Sequence, residues 1–422
     1  MEATMKDKLR TVIEDQHQEQ GNSNWVIREY PAEYVNRPDV LVISGIRRCG
    51  KSVLLQQIRA RQRERDYFVN FDDERLSDFK AEEFQALHEV LIERFGEQHT
   101  FYFDEIQNVA GWERFVRRLH DAGNKIYLTG SNATMLSQEL GTRLTGRYCR
   151  YELYPFSFRE FLAFKKYEIP KEGIRTTVSR AAVSRLFYDY LKTGGMPMYL
   201  RQPDDITLKT IYETIVYRDI LVRNQLRNPR EILEMIYYLA STVSQKTTHT
   251  ALAKLLNIAS PTSIKNYLDA IANTYLIGAV SQYDYSVKTQ LRNPKKYYFI
   301  DNALVRKLGF RFSDNKGQLL ENFVFIELKR RQNNLYYHQG NRECDFLIRD
   351  GVRIRQALQV AYHIDSETTR EREQAGIEEA MERYHLSEGW IITSDMKKEI
   401  ECAHGTIHVV PAWEWALSSE KR

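Results

Sequence analysis

The sequence has little that would staple it covalently or seat it in a membrane. Only four of its 422 residues are cysteine: Cys49, Cys149, Cys344 and Cys402. They are scattered and no two stand at metal-ligand spacing, so neither a disulfide scaffold nor a zinc site is indicated, and free thiols in a reducing compartment are expected. No apolar run approaches the roughly 18 residues of a membrane span. The first residues lack the apolar core of a secretion signal. A cytoplasmic protein with no membrane partner is the expectation. Excess charge is also missing: 61 Lys and Arg stand against 57 Asp and Glu, a net of +4, too little by itself to mark a nucleic-acid binder. Internal repeats and low-complexity tracts are absent. Aromatics are plentiful, with 26 Tyr and 19 Phe, and they argue against a disordered chain.

Strand and helix signals alternate over residues 39–154. Apolar runs at 39–44, 67–71, 100–103 and 125–129 read as buried strands, 148–153 as a fifth, and helices are predicted at 51–63, 81–95 and 112–122. This is the pattern of an α/β domain with a parallel sheet. Residues 1–38 read as a helical lead-in ending in a link with Pro31 and Pro38. Residues 155–243 read as a helical lid, broken where Gly194, Gly195 and Pro197 interrupt it. Residues 244–312 give helices at 250–256 and 262–276, a strand at 278–285, a turn rich in Lys and Arg, and a strand at 297–300. That is the order of a winged helix. Residues 313–422 read as a second α/β domain, with helices at 319–331 and 368–384 and strands at 335–338, 344–348, 357–361, 389–393 and 408–410.

Residues 45–52 read GIRRCGKS and match the phosphate-binding pattern G-x-x-x-x-G-K-[ST], between a strand and a helix. Glycines let backbone N–H groups curl around phosphates, and the helix N-terminus adds positive partial charge. The candidate nucleotide contacts are Gly45, Arg47, Arg48, Cys49, Gly50, Lys51, Ser52 and Val53. Lys51 would reach the β- and γ-phosphates and the Ser52 hydroxyl would bind magnesium. The strand at 100–103 then delivers Asp104 and Glu105 at its C-terminal end, where open α/β sheets place ligands. Asp104 is the candidate magnesium ligand and Glu105 the group that polarises an attacking water. The implied cofactors are ATP and Mg2+. At the end of the fourth strand Asn132, and after it Ser131, could touch the γ-phosphate or the water; a helix N-cap is the alternative. Arg143 and Arg147 lie in a basic loop and are candidate arginine fingers, from the same or a neighbouring subunit. A solvated loop is the plain alternative.

The strand inserted between these motifs, the polar strand end and the basic loop resemble the AAA+ branch of P-loop ATPases. More closely, the chain resembles a family of bacterial and archaeal AAA-type ATPases carrying a C-terminal domain of unknown function with a restriction-endonuclease-like core. The matching stretches are 45–55, 101–112, 128–147, 154–161, 194–197, 217–220 and 321–345. The resemblance implies an ATPase and a homo-oligomer, with a hexameric ring as its candidate form. It makes Arg218 and Asp219 functional candidates, a structural ion pair being the other reading.

The second helix of a winged helix usually enters the DNA major groove. Thr262, Ser263, Lys265 and Asn266 would face it here. Lys288, Arg292, Lys295 and Lys296 on the wing, beside Tyr283, Tyr285, Tyr297 and Tyr298, suit phosphates and unstacked bases. Nucleases with the core that the resemblance implies use an acid on the first helix, an Asp at a strand end and Glu-x-Lys on the next strand. Glu321 and Asp345 fill the first two places. Gln359 and Ala361 stand at the third, where the acid and the lysine belong, so a degenerate, binding-only site is expected. The leading expectation is Mg-dependent ATP hydrolysis coupled to DNA binding or remodelling. The alternatives are a nucleotide-switched signalling or defence protein acting on protein partners, and an ATP-regulated nuclease.

Overall fold

The computed structural model describes residues 2–18, 25–131, 144–170, 173–226, 228–310, 315–364 and 366–418. The chain divides into two compact units, Met1–Leu153 and Tyr154–Arg422.

In the first unit β1 (Val40–Ser44), β2 (Tyr67–Asn70), β3 (Thr100–Asp104), β4 (Lys125–Gly130) and β5 (Tyr148–Glu152) form one sheet in the order β2-β3-β4-β1-β5. All its pairings are parallel. A parallel sheet is covered on both faces, which is why β1 is apolar nearly throughout and buried at every position. With β4 lying between β1 and β3, Ser44 pairs with Gly130 and Phe103 with Leu128. The C-terminal ends of these three strands are therefore neighbours, and the residues that follow them share one edge.

The helix Glu2–Gln18 is part of this unit rather than a lead-in to it. Its Leu9, Val12 and Ile13, spaced to fall on one face, are each 1% exposed and lie in the same core as Phe101 and Trp112. Gln16 also pairs with the edge strand β2, donating to the Asn70 carbonyl at 3.1 Å and accepting its N–H at 2.9 Å. That occupies backbone groups an open edge would leave free.

The second unit begins with helices, among them Phe158–Phe164, Thr177–Thr193, Asp205–Glu213 and Pro229–Ser241, and a π-helical stretch at Thr214–Val222. The break at Gly194 and Gly195 has a packing cause. A Cβ on Gly194 would lie 2.1 Å from Asp301 Oδ1, and one on Gly195 2.3 Å from the Phe156 carbonyl. Asp301 Oδ2 accepts the Gly195 N–H at 2.6 Å.

The remaining strands are β6 (Lys246–Thr247), β7 (Ile277–Gln282), β8 (Lys295–Phe299), β9 (Asn334–Gln339), β10 (Glu343–Asp350), β11 (Arg353–Val360), β12 (Glu388–Thr393), β13 (Lys398–Cys402) and β14 (Gly405–Pro411). They form one nine-stranded sheet, ordered β13-β14-β12-β11-β10-β9-β7-β8-β6. The helix pair His249–Leu255 and Pro261–Ala272 precedes the antiparallel pair β7–β8, and β6 pairs with β8. The basic turn between β7 and β8 contains a short helix, Val287–Arg292. A parallel junction of β7 with β9, Ser281 to Tyr336 and Gln282 to Tyr337, puts this hairpin in the same sheet as the C-terminal strands. The edge strand β13, charged and half-exposed, carries too weak a hydrophobic alternation to be read from the sequence.

Leu9→Ala should destabilise the first unit by about 2–5 kcal/mol, read as faster hydrogen exchange in β1–β3. Unchanged protection there would mean that the N-terminal helix does not belong to this core.

Candidate nucleotide site

The turn after β1 is built for close backbone approach. Gly45 has φ +152° and Gly50 φ +102°. A Cβ on Gly45 would fall 2.2 Å from the Leu153 carbonyl, and one on Gly50 2.7 Å from Arg28 Nη1. Only glycine meets both demands at these two positions, the fixed glycines of the motif. The helix Lys51–Ala60 starts immediately afterwards, its N-terminus bordering the turn.

Lys51 is 4% exposed. Its Nζ donates to the carbonyls of Gly45 at 3.2 Å and Ile46 at 3.3 Å, and stands 3.7 Å from Glu105 Oε1. A buried ammonium needs such partners. Asp104 Oδ1 accepts a hydrogen bond from the Thr129 hydroxyl, and the nearby Ser52 side chain favours the ionised form of the same carboxylate. Thr129 Oγ1 in turn accepts the Glu105 N–H at 2.9 Å. Glu105 has φ 51° and ψ 38°, a left-handed conformation that costs a non-glycine residue about 1–2 kcal/mol. Thr129 holds that bend in place, and Gln107 donates to Glu105 Oε2.

Two buried polar atoms here, Ser131 Oγ and Gln107 Oε1, have no partner among the described residues. Buried polar groups are rarely left so, and a polar ligand would complete the site. Also among the described residues, no group of three His, Cys, Asp or Glu could hold a metal ion. A divalent ion shared by Ser52 and Asp104 would take its other ligands from phosphate and water. The residues present fit a nucleotide phosphate with its magnesium ion.

Sequence reasoning placed Gly45, Gly50, Lys51, Ser52, Asp104 and Glu105 at one sheet edge, and the structure brings them together. Arg47, Arg48, Cys49 and Val53 lie in the same turn and helix start. Asn132 and Arg143 lie outside the described residues. Arg147 is not brought to the site of its own chain. It directly precedes β5, whose first residue pairs with the first residue of β1, so it lies at the opposite edge of the sheet. Its Nε bonds Asp121 at 2.7 Å. Three residues went unread. Thr129 and Gln107 had a signal, being polar groups at the end of β4 and just after the paired acids. Arg28 had none in sequence; it is 3% exposed and donates to the Cys49 carbonyl at 2.6 Å.

In the second unit Glu321, Asp345 and Gln359 also come together. Gln359 Oε1 accepts the Asp345 N–H at 3.1 Å, and Gln359 Nε2 donates to Glu373. Lys296 joins them and so is not an exposed DNA contact: its side chain is 3% exposed, bonded to Glu321 at 3.2 Å and Asp345 at 2.9 Å. Burial pushes the Glu321 carboxyl up to about 7, with Asp345 adding to the effect. Desolvation opposes the charge of Lys296, yet Asp345, Glu321 and Glu343 hold it well above its ordinary value. Of the other expected DNA contacts, Lys265, Lys288 and Arg292 are exposed and Lys295 is half-buried. Tyr297 and Tyr298 are buried, whereas Tyr285 is exposed. Arg218 is exposed; Asp219 is buried, 3.8 Å from Arg223.

A glycine-rich turn, a buried lysine and paired acids on a β2-β3-β4-β1-β5 sheet define the first unit as a P-loop AAA domain, and the AAA-domain family model matches residues 37–162. A domain of unknown function, DUF8612, matches residues 184–315. The chain is 34% identical over 405 residues to the uncharacterized protein MJ1544 of Methanocaldococcus jannaschii, covering 90% of this chain and 88% of that protein. It is 34% identical over 345 residues to an uncharacterized protein of Haemophilus influenzae, covering 78% and 84%. The chain belongs to the family of these two proteins. Among solved structures it is similar to the Orc1 protein of Aeropyrum pernix in complex with DNA, at 12% identity and TM-score 0.29 over 72% of this chain and 91% of that one. Cdc6p of Pyrobaculum aerophilum is similar at 13% identity and TM-score 0.27, over 68% and 96%. Likenesses this remote say nothing of what the present chain binds. Among the described residues no helix is long and apolar enough to cross a membrane.

Burial, and then the neighbouring Glu105, push the Asp104 carboxyl up to about 6. A carboxyl raised on folding favours the folded state below its unfolded value, and that contribution is lost as pH rises through the folded value. Nucleotide-free Asp104→Asn protein should therefore melt above the wild type at pH 8. The gap should narrow as pH falls through about 6, because the wild-type carboxyl then becomes neutral too. Parallel melting curves across this range would contradict the assignment.

Proposed function

We propose that this protein is a Mg2+-dependent ATPase whose nucleotide cycle is coupled to DNA binding or remodelling. The observation that carries the ATPase reading is Glu105 standing opposite Lys51 at 3.7 Å, with Asp104 beside them held by Thr129. When bound, magnesium supplies positive charge to the phosphate oxygens. Lys51 and the turn N–H groups stabilise negative charge on the β- and γ-phosphates. The Glu105 carboxylate accepts a hydrogen bond from water and orients it for attack, held by the left-handed bend and by Gln107. Thr129 ties the Asp104 carboxylate to the backbone N–H of Glu105 through one hydroxyl. Ser131 and Asn132 are the candidates for contact with the γ-phosphate. Arg143 and Arg147 are candidates for stabilising charge in the site of a neighbouring subunit, which calls for a homo-oligomer, a hexamer in the ring form.

The DNA reading is supported by the element order of the second unit. The helix Pro229–Ser241, β6, two further helices and the β7–β8 hairpin follow the order of a winged helix. Lys265 and Lys295 both act on the charge of His249, so they share one basic neighbourhood, with exposed Lys288 and Arg292 on the turn between β7 and β8. The strands β9–β14 and the helix Lys316–Arg330 are taken as the restriction-endonuclease-like core, retained for binding.

Lys51→Ala should abolish ATP turnover. Glu105→Gln should keep ATP affinity and lose at least about a hundredfold in turnover, the span of a lost general base. If affinity fell together with turnover, Glu105 would be a binding group instead. Turnover should rise with single-stranded, duplex or branched DNA. The triple charge reversal of Lys265, Lys288 and Arg292 to Glu should remove that rise and flatten the salt dependence of DNA binding by about one counterion per lost phosphate contact. Turnover indifferent to every DNA form would favour a nucleotide switch acting on protein partners.

A further inference from the structure

The cluster around Asp345 contains more than the sequence motif supplies. Lys296 Nζ lies 2.6 Å from Glu343 Oε1, 2.9 Å from Asp345 Oδ1 and 3.2 Å from Glu321 Oε1. An ammonium has three N–H donors; this one donates to Asp345 and Glu321 and stands in ion-pair contact with Glu343. The surrounding atoms are engaged as well. Glu343 Oε2 accepts from Lys246 at 2.7 Å, Asp345 Oδ2 from the Val360 N–H at 3.0 Å, and Glu321 Oε1 from the Tyr298 hydroxyl at 2.8 Å. Gln359 is committed at both ends, to the Asp345 N–H and to Glu373. A metal site keeps oxygens free to turn toward the ion, whereas here the oxygens facing inward are already matched to a cation.

The lysine comes from β8 and two of the acids from β10, strands separated in the sheet by β7 and β9. The third acid is on the helix Lys316–Arg330. The ammonium thus joins three elements that the sheet does not pair directly. Ala361, where the motif would want a lysine, is 7% exposed and sits in an apolar cluster with Leu347 and Ile391.

We infer that Lys296 is the resident cation of this cluster. It fills the place that a divalent metal takes between such acids, so the site accepts a metal only when the lysine is removed. The hairpin β7–β8 is held to β10 by an internal ion pair, and no exchangeable ion can release it. A divalent cation should therefore leave this part of the protein unchanged in the wild type, and a metal-dependent cleavage step has no site here.

The test is a Mn2+ titration of the nucleotide-free full-length chain, with free Mn2+ read by electron paramagnetic resonance. Wild type and Asp345→Asn should bind Mn2+ alike. Lys296→Met should gain one site per chain, lost again in the double variant Lys296→Met/Asp345→Asn. A wild-type site that disappears in Asp345→Asn would overturn the inference, because the acids would then bind metal with the lysine present. A folded Lys296→Met that gains no site would overturn it too. If Lys296→Met does not fold, the comparison of wild type with Asp345→Asn still decides: equal binding supports the resident lysine, and loss of a site refutes it.

Discussion

Everything at the C-terminal edge of the first sheet depends on keeping one ammonium group charged and nearly dry. Lys51 has almost no contact with solvent, and its partners are two carbonyls of its own turn and one carboxylate across the edge. Carbonyl dipoles alone are weak counterparts for a buried charge. Among the described residues Glu105 is the carboxylate in ion-pair contact with it, and the backbone at Glu105 takes an unfavourable left-handed conformation. The strain at Glu105, the hydroxyl of Thr129 that fixes it and the glycines that let the turn close are parts of the same arrangement.

The strand order makes this arrangement feasible. If β3 lay directly beside β1, Asp104 and Glu105 would crowd the turn with no polar group between. Placing β4 in the gap delivers Thr129 and Ser131 to the same edge. Asp104 is held by the Thr129 hydroxyl, so this carboxylate is oriented without any ligand present. Such preorganisation means that less rearrangement is needed when charge develops on the phosphates. The second unit uses the same physics to a different end. At Lys296 the carboxylates outnumber the ammonium and enclose it, which makes a tie rather than a reactive site.

The parts legible in the sequence are those fixed by local chemistry. The P-loop pattern, the paired acids and the parallel strands could be read because each depends on residues close together in the chain. Arg147 lies away from the nucleotide site of its own chain, which the sequence did not show because a basic loop carries no record of which sheet edge it borders; the parallel pairing of β5 with β1 gives that position only in three dimensions. Lys296 looked like a wing lysine, although alternation along β8 puts it on the same face as Tyr298, and both reach Glu321. The N-terminal helix displayed its apolar face at Leu9, Val12 and Ile13, but nothing local showed which core it would join. The junction of β7 with β9 pairs residues more than fifty positions apart, a register no sequence window contains.

The central claim is that Ser52 and Asp104 hold a metal ion together with the nucleotide phosphates. Equilibrium binding of ATP with and without Mg2+, in wild type and Ser52→Ala, tests it most directly. The account predicts that Mg2+ tightens ATP binding to the wild type and that Ser52→Ala loses this increment while keeping metal-free affinity. ATP binding indifferent to Mg2+, or an increment undiminished in Ser52→Ala, would contradict it.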